Sequence, residues 1–233
     1  VNDLNNERVV AYYKLHPKAQ KEKKEFVKYF FLIDDFVGTG TTFLRDESED
    51  NTKYWLDEKN IFDSSKTDLP DKNSELSGAL IRFIDYWNLD ENNEIIFCPY
   101  IITEFAKCRL EKMIKYYGQI GKIENFKNIQ IIPAYIFPNE SRVIEKCSSY
   151  SEIRKWDQDK CNFKGISQLC EDYYYLFKET SHHKKGGGCK HGFGDRGFAI
   201  VRYNNTPNNS LYLIWHNHNG WHPLFLRNER HKD

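Results

Sequence analysis

The chain contains 233 residues, and its 34 lysines and arginines are balanced by 34 aspartates and glutamates. This length is enough for one sizeable α/β domain, or for one domain with a structured appendage. The zero formal net charge provides no overall electrostatic attraction to a nucleic acid or a membrane. The sequence has no run of about 18 apolar residues, so it predicts no membrane-spanning helix.

Six cysteines are scattered along the chain without any Cys-x-x-Cys pair. Such spacing is typical of reduced thiols in a cytoplasmic protein and not of a secreted disulfide framework. We therefore expect a cytoplasmic protein, with no membrane partner, whose thiols are mostly buried.

The first predicted strand is the apolar and aromatic run Tyr29–Ile33. Before it, residues 9–28 carry lysines interleaved with glutamates, which predict a solvated helix or loop. After it come two aspartates and the tight loop Gly38–Thr42. This order predicts a buried parallel strand that leads into the loop, and we expect a helix to begin within Thr41–Arg45.

Alternating helices and strands follow the loop. The polar segment Leu44–Asn73 is predicted to be a surface insertion of loop and short helix. Hydrophobic periodicity then predicts a helix, a strand, a helix and a strand at Glu75–Trp87, Glu94–Tyr100, Ile102–Tyr117 and Ile129–Phe137. This alternation indicates a parallel sheet with right-handed crossovers, and thus an α/β fold with helical insertions.

The C-terminal region differs in composition from the rest of the chain. A loop rich in glycine and histidine covers residues 181–197, and Phe198–Tyr203 and Leu211–Trp215 are predicted to be short strands. We therefore divide the chain into an α/β core at residues 1–180 and a second region at residues 181–233. In the second region, the loop and a C-terminal β appendage are expected to pack on the core.

The loop after the first strand has the composition of an anion-binding site. Its glycines allow consecutive amides to point toward an anion, its threonines supply hydroxyl donors, and a helix N-terminus after it would add a partial positive charge. Asp34 and Asp35 are able to accept hydrogen bonds from ribose hydroxyls and to orient Mg²⁺ or its waters. The pattern therefore indicates a site for a sugar 5′-phosphate. The alternative is a plain strand-to-helix turn with a helix cap.

An apolar strand, Asp-Asp, two residues and Gly-Thr-Gly-Thr-Thr together resemble the phosphoribosyl-pyrophosphate loop of type I phosphoribosyltransferases. The resemblance implies that Asp34 and Asp35 are catalytic acids that bind the ribose. It implies a phosphate-binding role for Thr39, Gly40, Thr41 and Thr42, with Gly38 permitting the turn. It also implies a parallel-sheet, phosphoribosyltransferase-like core with its ligand at the carboxyl ends of the strands.

The N-terminal region departs from the pattern of that family, which places a strand and a pyrophosphate-binding loop before this motif. Only residues 1–30 precede it here, and the first residue is Val1 and not methionine. We therefore expect that an N-terminal part of the pocket is missing from this chain.

Segments of the C-terminal region extend the resemblance. They are Gly192–Val201, Asn205–Asn209, Leu213–Trp215 and Trp221–Phe225. Together with the loop they resemble the phosphoribosyltransferase-like proteins of bacterial conflict systems, some of which accompany retron reverse transcriptases. The resemblance implies an antiphage defence effector that is regulated by a reverse transcriptase with its RNA or DNA.

Two classes of function fit these residues. The first is an enzyme acting at the ribose anomeric carbon, by phosphoribosyl transfer or hydrolysis, with Mg²⁺ and either phosphoribosyl pyrophosphate or a nucleotide as substrate. Such a reaction passes through an oxocarbenium-like state and requires no protein nucleophile. The second class is a catalytically inactive module that senses a nucleotide or docks within a defence complex.

Histidines and a cysteine cluster in the glycine-rich loop, at His182, His183, Cys189 and His191. A structural zinc site normally combines two ligand pairs across an ordered hairpin or helix, so this spacing predicts no metal site. We expect the histidines to face the solvent. The lysines of the same loop fit either a clamp for pyrophosphate or a nucleic-acid backbone, or a mobile linker.

Asn205 and Asn208 lie in a turn that Pro207 stiffens, and their amide groups supply the donors and acceptors that a base or a ribose requires. We predict that replacing both asparagines with alanine weakens ligand binding while changing the free energy of unfolding by less than about 0.5 kcal/mol. Calorimetric titration and thermal unfolding measure the two quantities. Lowered stability with unchanged affinity would show that the asparagines serve only the turn.

Overall fold

The described part of the chain is an alternating series of strands and helices. In this computed structural model it comprises residues 28–63, 70–122, 128–141, 170, 191–192, 197–201, 206, 210–215 and 222–225. Its elements are β1 (Tyr29–Val37), β2 (Arg45–Asp46), α1 (Glu49–Leu56), α2 (Glu58–Phe62), β3 (Leu76–Ser77), α3 (Ala79–Trp87), β4 (Glu94–Thr103), α4 (Glu104–Gln119), β5 (Ile129–Ile131), β6 (Tyr135–Phe137), a 3₁₀ turn (Asn139–Ser141) and α5 (Tyr212–Trp215).

A parallel sheet in the order β1–β4–β5 lies at the centre of these elements, and β6 also pairs with β4. The predicted α/β fold with a parallel-sheet core is therefore confirmed. β4 is the central strand, with β1 on one side and β5 and β6 on the other. The register of β4 on β1 places Cys98 beside Ile33 and Pro99 beside Asp34.

β5 and β6 together correspond to the single strand predicted at Ile129–Phe137, because both pair with β4 at the same offset in residue number. In this register Pro133 lies opposite Pro99. Neither proline has an amide hydrogen, so the hydrogen-bond ladder is interrupted there. The next amide, that of Ala134, donates to the Pro99 carbonyl at 3.0 Å and restores the alignment.

The two faces of β1 have different environments. Phe30 is 8% exposed and packs edge-on against Phe83 of α3, with ring centroids 5.5 Å apart. On the other face, Tyr29, Phe31 and Ile33 are 48%, 62% and 83% exposed. The predicted burial of this strand is therefore wrong for one face, because the helices of the described chain pack on the face that holds Phe30.

The hydrophobic core lies between the sheet and the helices, and α4 contributes most to it. This helix buries residues at helical spacing, namely Phe105, Ala106, Leu110, Met113, Ile114 and Tyr117. Phe43, in the loop after β1, stacks on Phe97 of β4 with ring centroids 3.8 Å apart. Removal of this apolar surface from water is the main stabilising contribution to the described part of the chain.

The segment Leu44–Asn73 was predicted to be a surface insertion, and this prediction is wrong for part of it. The segment forms β2, α1 and α2, and its residues Trp55 and Ile61 are each 2% exposed. Trp55 Nε1 also donates to the Tyr117 hydroxyl at 3.3 Å. The polar residues of the segment lie mostly on the outer faces of two short helices. The few apolar residues of these helices pack into the core.

The helix predicted at Glu75–Trp87 begins four residues later than expected, at Ala79. The residues before it form β3, which pairs with β2 in antiparallel orientation. Gly78 separates the strand from the helix with a φ of 115°, and a Cβ atom there would lie 2.4 Å from the Phe43 carbonyl oxygen. Glycine therefore permits the start of α3 to contact the loop that follows β1.

A buried carboxylate, that of Asp46 in β2, connects this segment to α4. Asp46 is 1% exposed and accepts hydrogen bonds from Asn51 Nδ2 at 2.9 Å, Ser74 Oγ at 2.7 Å and the Tyr117 hydroxyl. Burial, and then the hydrogen bond to Asp46, raise the pKa of Tyr117 far above its usual value. The environment of Tyr117 thus favours the protonated hydroxyl, which is the form that donates to Asp46.

The strand predicted at Leu211–Trp215 is wrong, because Tyr212–Trp215 forms the short helix α5. A continuous apolar run does not distinguish a strand from a buried helical turn by periodicity, and α5 buries three of its four residues. An isolated parallel bridge joins Phe198 to Ser210. The Phe198 ring contacts that of Phe137 in β6, with centroids 5.2 Å apart, so this part of the region lies against the sheet.

The strand predicted at Phe198–Tyr203 is reduced to that single bridge within the described residues 197–201. The division of the chain at residue 180 stays a prediction. Within the described ranges, every helix is too short or too polar to cross a membrane.

We predict that Asp46→Ala lowers the free energy of unfolding by about 3 kcal/mol, because it removes the acceptor of the buried Tyr117 hydroxyl and the acceptor that Asn51 and Ser74 share with it. Urea denaturation measures the change. The control is Asp50→Ala on α1, where the side chain is 95% exposed, and we expect a change below about 0.5 kcal/mol. Equal unfolding free energies for the two variants would contradict the anchoring role of Asp46.

Candidate functional site

The loop Gly38–Leu44 begins at the carboxyl end of β1, beside the end of β4 where α4 starts. Ligands of open parallel sheets bind at this edge. Asp34 and Asp35 are exposed near the end of β1. The structure therefore places the two predicted acids and the predicted phosphate loop in one region.

Two consecutive carbonyl groups of the loop point toward α4. The Gly38 carbonyl accepts a hydrogen bond from the Thr103 hydroxyl, and the Thr39 carbonyl accepts one from Arg109 Nη1 at 3.1 Å. The C=O and N–H groups of a trans peptide point in opposite directions. The amides of Thr39 and Gly40 therefore point away from α4.

The following residues complete a tight turn. The Gly40 carbonyl accepts from the amides three and four residues further on, at 3.1 and 2.9 Å, and the Thr42 carbonyl accepts from the Ala79 amide at 2.9 Å. Among the hydrogen bonds within the described residues, none uses an amide of residues 39–42 as its donor. Consecutive amides that point to one side form an anion-binding nest, which suits a phosphate group.

Gly40 is required by the geometry of this loop. Its φ is +75°, a conformation that residues with side chains rarely adopt. A Cβ atom at this position would lie 2.8 Å from Cγ of Leu110 in α4. The loop therefore rests directly on the helix.

The three threonines of the loop occupy different positions. Thr39 is 4% exposed, and its hydroxyl lies 3.0 Å from the hydroxyl of Thr41. Thr41 is partly buried and Thr42 is exposed. The side chains of Thr41 and Thr42 are thus accessible to a ligand, whereas that of Thr39 is buried.

The helix predicted at Thr41–Arg45 is wrong. After a single turn the chain enters β2 at Arg45, which pairs with Ser77 of β3, and the next helix begins at Glu49. The sheet pairing and the hydrogen bond from Arg109 to the Leu44 carbonyl prevent the turn from continuing as a helix. The predicted contribution of a helix N-terminus to phosphate binding is therefore not made directly after this loop.

The positive charge behind the loop comes instead from Arg109, which our sequence reasoning missed. Arg109 is 1% exposed and lies on the buried face of α4, between Ala106 and Met113 at helical spacing. An arginine on an otherwise apolar helix face is the signal that could have identified it, because charged side chains are rarely fully buried without a specific role.

Asp34 and Asp35 lie side by side on β1. The Asp35 amide donates to Asp34 Oδ1 at 2.8 Å. Partial desolvation, and then the neighbouring Asp35 carboxyl, raise the pKa of Asp34 above its usual value. Two adjacent carboxylates repel each other, so hydroxyl donors or a cation placed between them relieve an unfavourable interaction. The pair is therefore suited to ribose hydroxyls and to Mg²⁺.

The chain matches a family model described as PRTase-CE over residues 1–227. The chain belongs to the PRTase-CE family. The match includes the loop, the sheet and the C-terminal region, and it confirms the phosphoribosyltransferase-like family that the sequence motifs indicate. No curated protein and no solved structure matches the chain.

The predicted substrate-binding residues of this PRTase-CE protein Asn205 and Asn208 lie outside the described ranges, so their roles stay predictions. His182, His183 and Cys189, for which we predict no metal site, also lie outside these ranges. His191 is described and is 3% exposed, so the expectation that the histidines face the solvent is wrong at this position. Within the described ranges, no group of three or more His, Cys, Asp or Glu side chains is arranged to hold a metal ion.

We predict that Asp34→Asn raises the melting temperature at pH 7 by about 1–2 °C. The raised pKa of Asp34 means that folding disfavours its ionised form, so removal of the charge stabilises the folded state at neutral pH. The benefit disappears as the pH falls below the usual aspartate value, where the wild-type carboxyl is protonated in both states. Asparagine retains the oxygen that accepts from the Asp35 amide.

Thermal unfolding of both proteins between pH 7 and pH 3 measures this difference. Asp85→Asn, which removes an exposed carboxyl of α3, is the control for a general charge effect. A lower melting temperature for Asp34→Asn at pH 7, or a difference that does not vary with pH, would contradict the prediction.

Proposed function

We propose that this PRTase-CE protein binds a compound with a 5-phosphorylated ribose and acts at the anomeric carbon. The observation that carries the proposal is the orientation of the Thr39 and Gly40 amides away from α4, in a loop that follows Asp34 and Asp35 on β1. The substrate is phosphoribosyl pyrophosphate or a nucleotide. In this proposal the loop amides and the accessible threonine hydroxyls bind the phosphate, and the two acids accept hydrogen bonds from the ribose hydroxyls.

The reaction needs no protein nucleophile. With phosphoribosyl pyrophosphate, the bond from the anomeric carbon to pyrophosphate breaks and its electron pair leaves with pyrophosphate. In transfer, a nitrogen of the base forms the new bond and loses its proton to solvent. In hydrolysis, water takes the place of the base. The protein accelerates either reaction by holding the ribose and stabilising the oxocarbenium-like state with the nearby carboxylates.

Asp34 and Asp35 would hold Mg²⁺, directly or through its waters. Their oxygens are hard ligands of the kind that this ion prefers. Partial desolvation, and then the Asp35 carboxyl, raise the pKa of Asp34, and a cation would offset the repulsion between the two carboxylates. When bound, Mg²⁺ would neutralise charge on the departing pyrophosphate. Two acids leave most of the coordination to water and substrate, as is usual for this ion.

We further propose that the protein is a cytoplasmic antiphage defence effector, regulated by a reverse transcriptase with its RNA or DNA. The support for this part is the resemblance of the loop and the C-terminal segments, including Gly192–Val201 and Trp221–Phe225, to proteins of bacterial conflict systems. A toxic activity at a nucleotide ribose would need a partner that restrains it until infection.

A second candidate function is a catalytically inactive module that senses a nucleotide or docks within a defence complex. The exposed apolar face of β1, with Phe31 at 62% and Ile33 at 83% exposure, favours this candidate, since such a face suits contact with another macromolecule. Turnover separates the two candidates, because only the first converts its ligand into product.

We predict that the double variant Asp34→Asn, Asp35→Asn lowers turnover at least about 100-fold, because it removes both negative charges and leaves one neutral oxygen in place of each carboxylate that would accept from the ribose hydroxyls and hold Mg²⁺. Mass spectrometry of phosphoribosyl pyrophosphate and nucleotides incubated with Mg²⁺ and the protein measures turnover. Asp85→Asn is the control and should retain wild-type rates.

The same variants separate the candidates in cells. If the protein is a defence effector, the double variant should lose protection against phage at normal abundance. Binding of a nucleotide without product formation by the wild-type chain would favour the sensing module. Full activity of the double variant in both assays would contradict the proposed site.

A further inference from the structure

A buried arginine lies behind the loop, on the helix that follows the central strand. Arg109 Nη1 donates to the Thr39 carbonyl at 3.1 Å, and Arg109 Nη2 donates to the Leu44 carbonyl at 3.1 Å. The two acceptors lie on either side of the turn that starts at Gly40. One guanidinium therefore fixes both sides of the loop.

The shape of the guanidinium suits this arrangement. It is planar, and its donors have a fixed separation, so it holds two acceptors at a fixed distance from each other. The hydrogen bond to the Thr39 carbonyl fixes the following peptide group, whose amide hydrogen belongs to Gly40 and points away from α4. The orientation of an amide in the nest thus depends on Arg109.

The positive charge of Arg109, like its hydrogen bonds to the loop, favours the binding of an anion. The side chain is 1% exposed, so water screens its charge little, and the interaction with an anion above the loop is stronger than that of a surface lysine. An anion bound by the outward amides would in turn lower the free-energy cost of burying the guanidinium. Arg109 therefore both orients the loop amides and supplies the positive potential beneath them.

We propose that Arg109 is the positioning residue of the phosphate loop, and that it sets the affinity of the loop for the phosphate group of the substrate. The inference rests on the proposed function, since it assigns the loop a phosphate ligand. Arg109 contacts the backbone of the loop and acts on the ligand through it.

The chain offers a matched control on the same helix. Lys112 is three residues from Arg109 and also donates to a backbone carbonyl, that of Asn60 at 3.2 Å, but this acceptor lies in α2 and not in the loop. Lys112→Gln removes the same charge and a similar hydrogen bond without altering the contacts of the loop.

The test is calorimetric titration of the full chain with inorganic phosphate and, separately, with phosphoribosyl pyrophosphate and Mg²⁺. For Arg109→Gln we expect affinity for inorganic phosphate to fall at least about tenfold, and for Arg109→Lys an intermediate loss, because lysine retains the charge but not the paired donors. Lys112→Gln should stay within about twofold of wild type. Asp34→Asn should retain phosphate binding and lose affinity for phosphoribosyl pyrophosphate.

A second measurement covers the case in which Arg109→Gln does not fold. In the wild-type chain labelled with ¹⁵N in arginine and glycine, phosphate should shift the side-chain resonance of Arg109 and the amide resonance of Gly40. A folded Arg109→Gln protein with wild-type phosphate affinity would overturn the inference and leave the proposed function standing. Phosphate binding that shifts neither resonance would place the phosphate away from the loop and would overturn both. Failure of the wild-type chain to bind either ligand would overturn both.

Discussion

The candidate site depends on the contact between the loop and α4. A phosphate is bound well only when several amides point to the same place before it arrives, since ordering a free loop at the moment of binding costs conformational entropy. Here the hydroxyl of Thr103 and the guanidinium of Arg109 hold consecutive carbonyls inward. Thr103 also accepts from the Ala106 amide and so caps α4. One residue therefore ends the central strand, starts the helix and fixes the first carbonyl of the loop.

The C-terminal part of the loop is held by the start of α3, which lies against it. The carbonyls of Thr42 and Phe43 accept from the amides of Ala79 and Leu80, each at 2.9 Å, and the lack of a Cβ at Gly78 makes this approach possible. β2, between the loop and α1, is in turn anchored by the hydrogen bonds of the Asp46 carboxylate. A segment whose composition resembles an insertion therefore completes the support of the loop.

A feature of the structure could be predicted from the sequence when the residues that determine it lie close together along the chain. The strand, the acids and the glycine–threonine loop are contiguous, so their pattern could be read directly, and β4 and α4 were predicted from their hydrophobic periodicity. Arg109 was not predicted, because its acceptors lie 70 and 65 residues away along the chain. Two predicted elements were wrong for a related reason, namely the helix at Thr41–Arg45 and the strand at Leu211–Trp215. In both segments tertiary contacts, and not local propensity, decide the conformation.

The distribution of charge around the loop matches the two ends of the proposed ligand. Asp34 and Asp35 precede the loop at the surface, and Arg109 lies beneath it. A phosphorylated ribose carries hydroxyls at one end and an anion at the other, so it can use the acids and the nest at the same time. Inorganic phosphate would use only the nest, and an unphosphorylated nucleoside would use only the acids.

The covalent link between the two ends of such a ligand affects its affinity. Because the ribose joins the hydroxyls and the phosphate covalently, binding of one group raises the effective concentration of the other, and the affinity for the intact ligand exceeds that for either part. In the proposed function, selectivity for phosphoribosyl compounds therefore follows from the spacing between the acids on β1 and the loop after it, and it does not require a specific contact to the base.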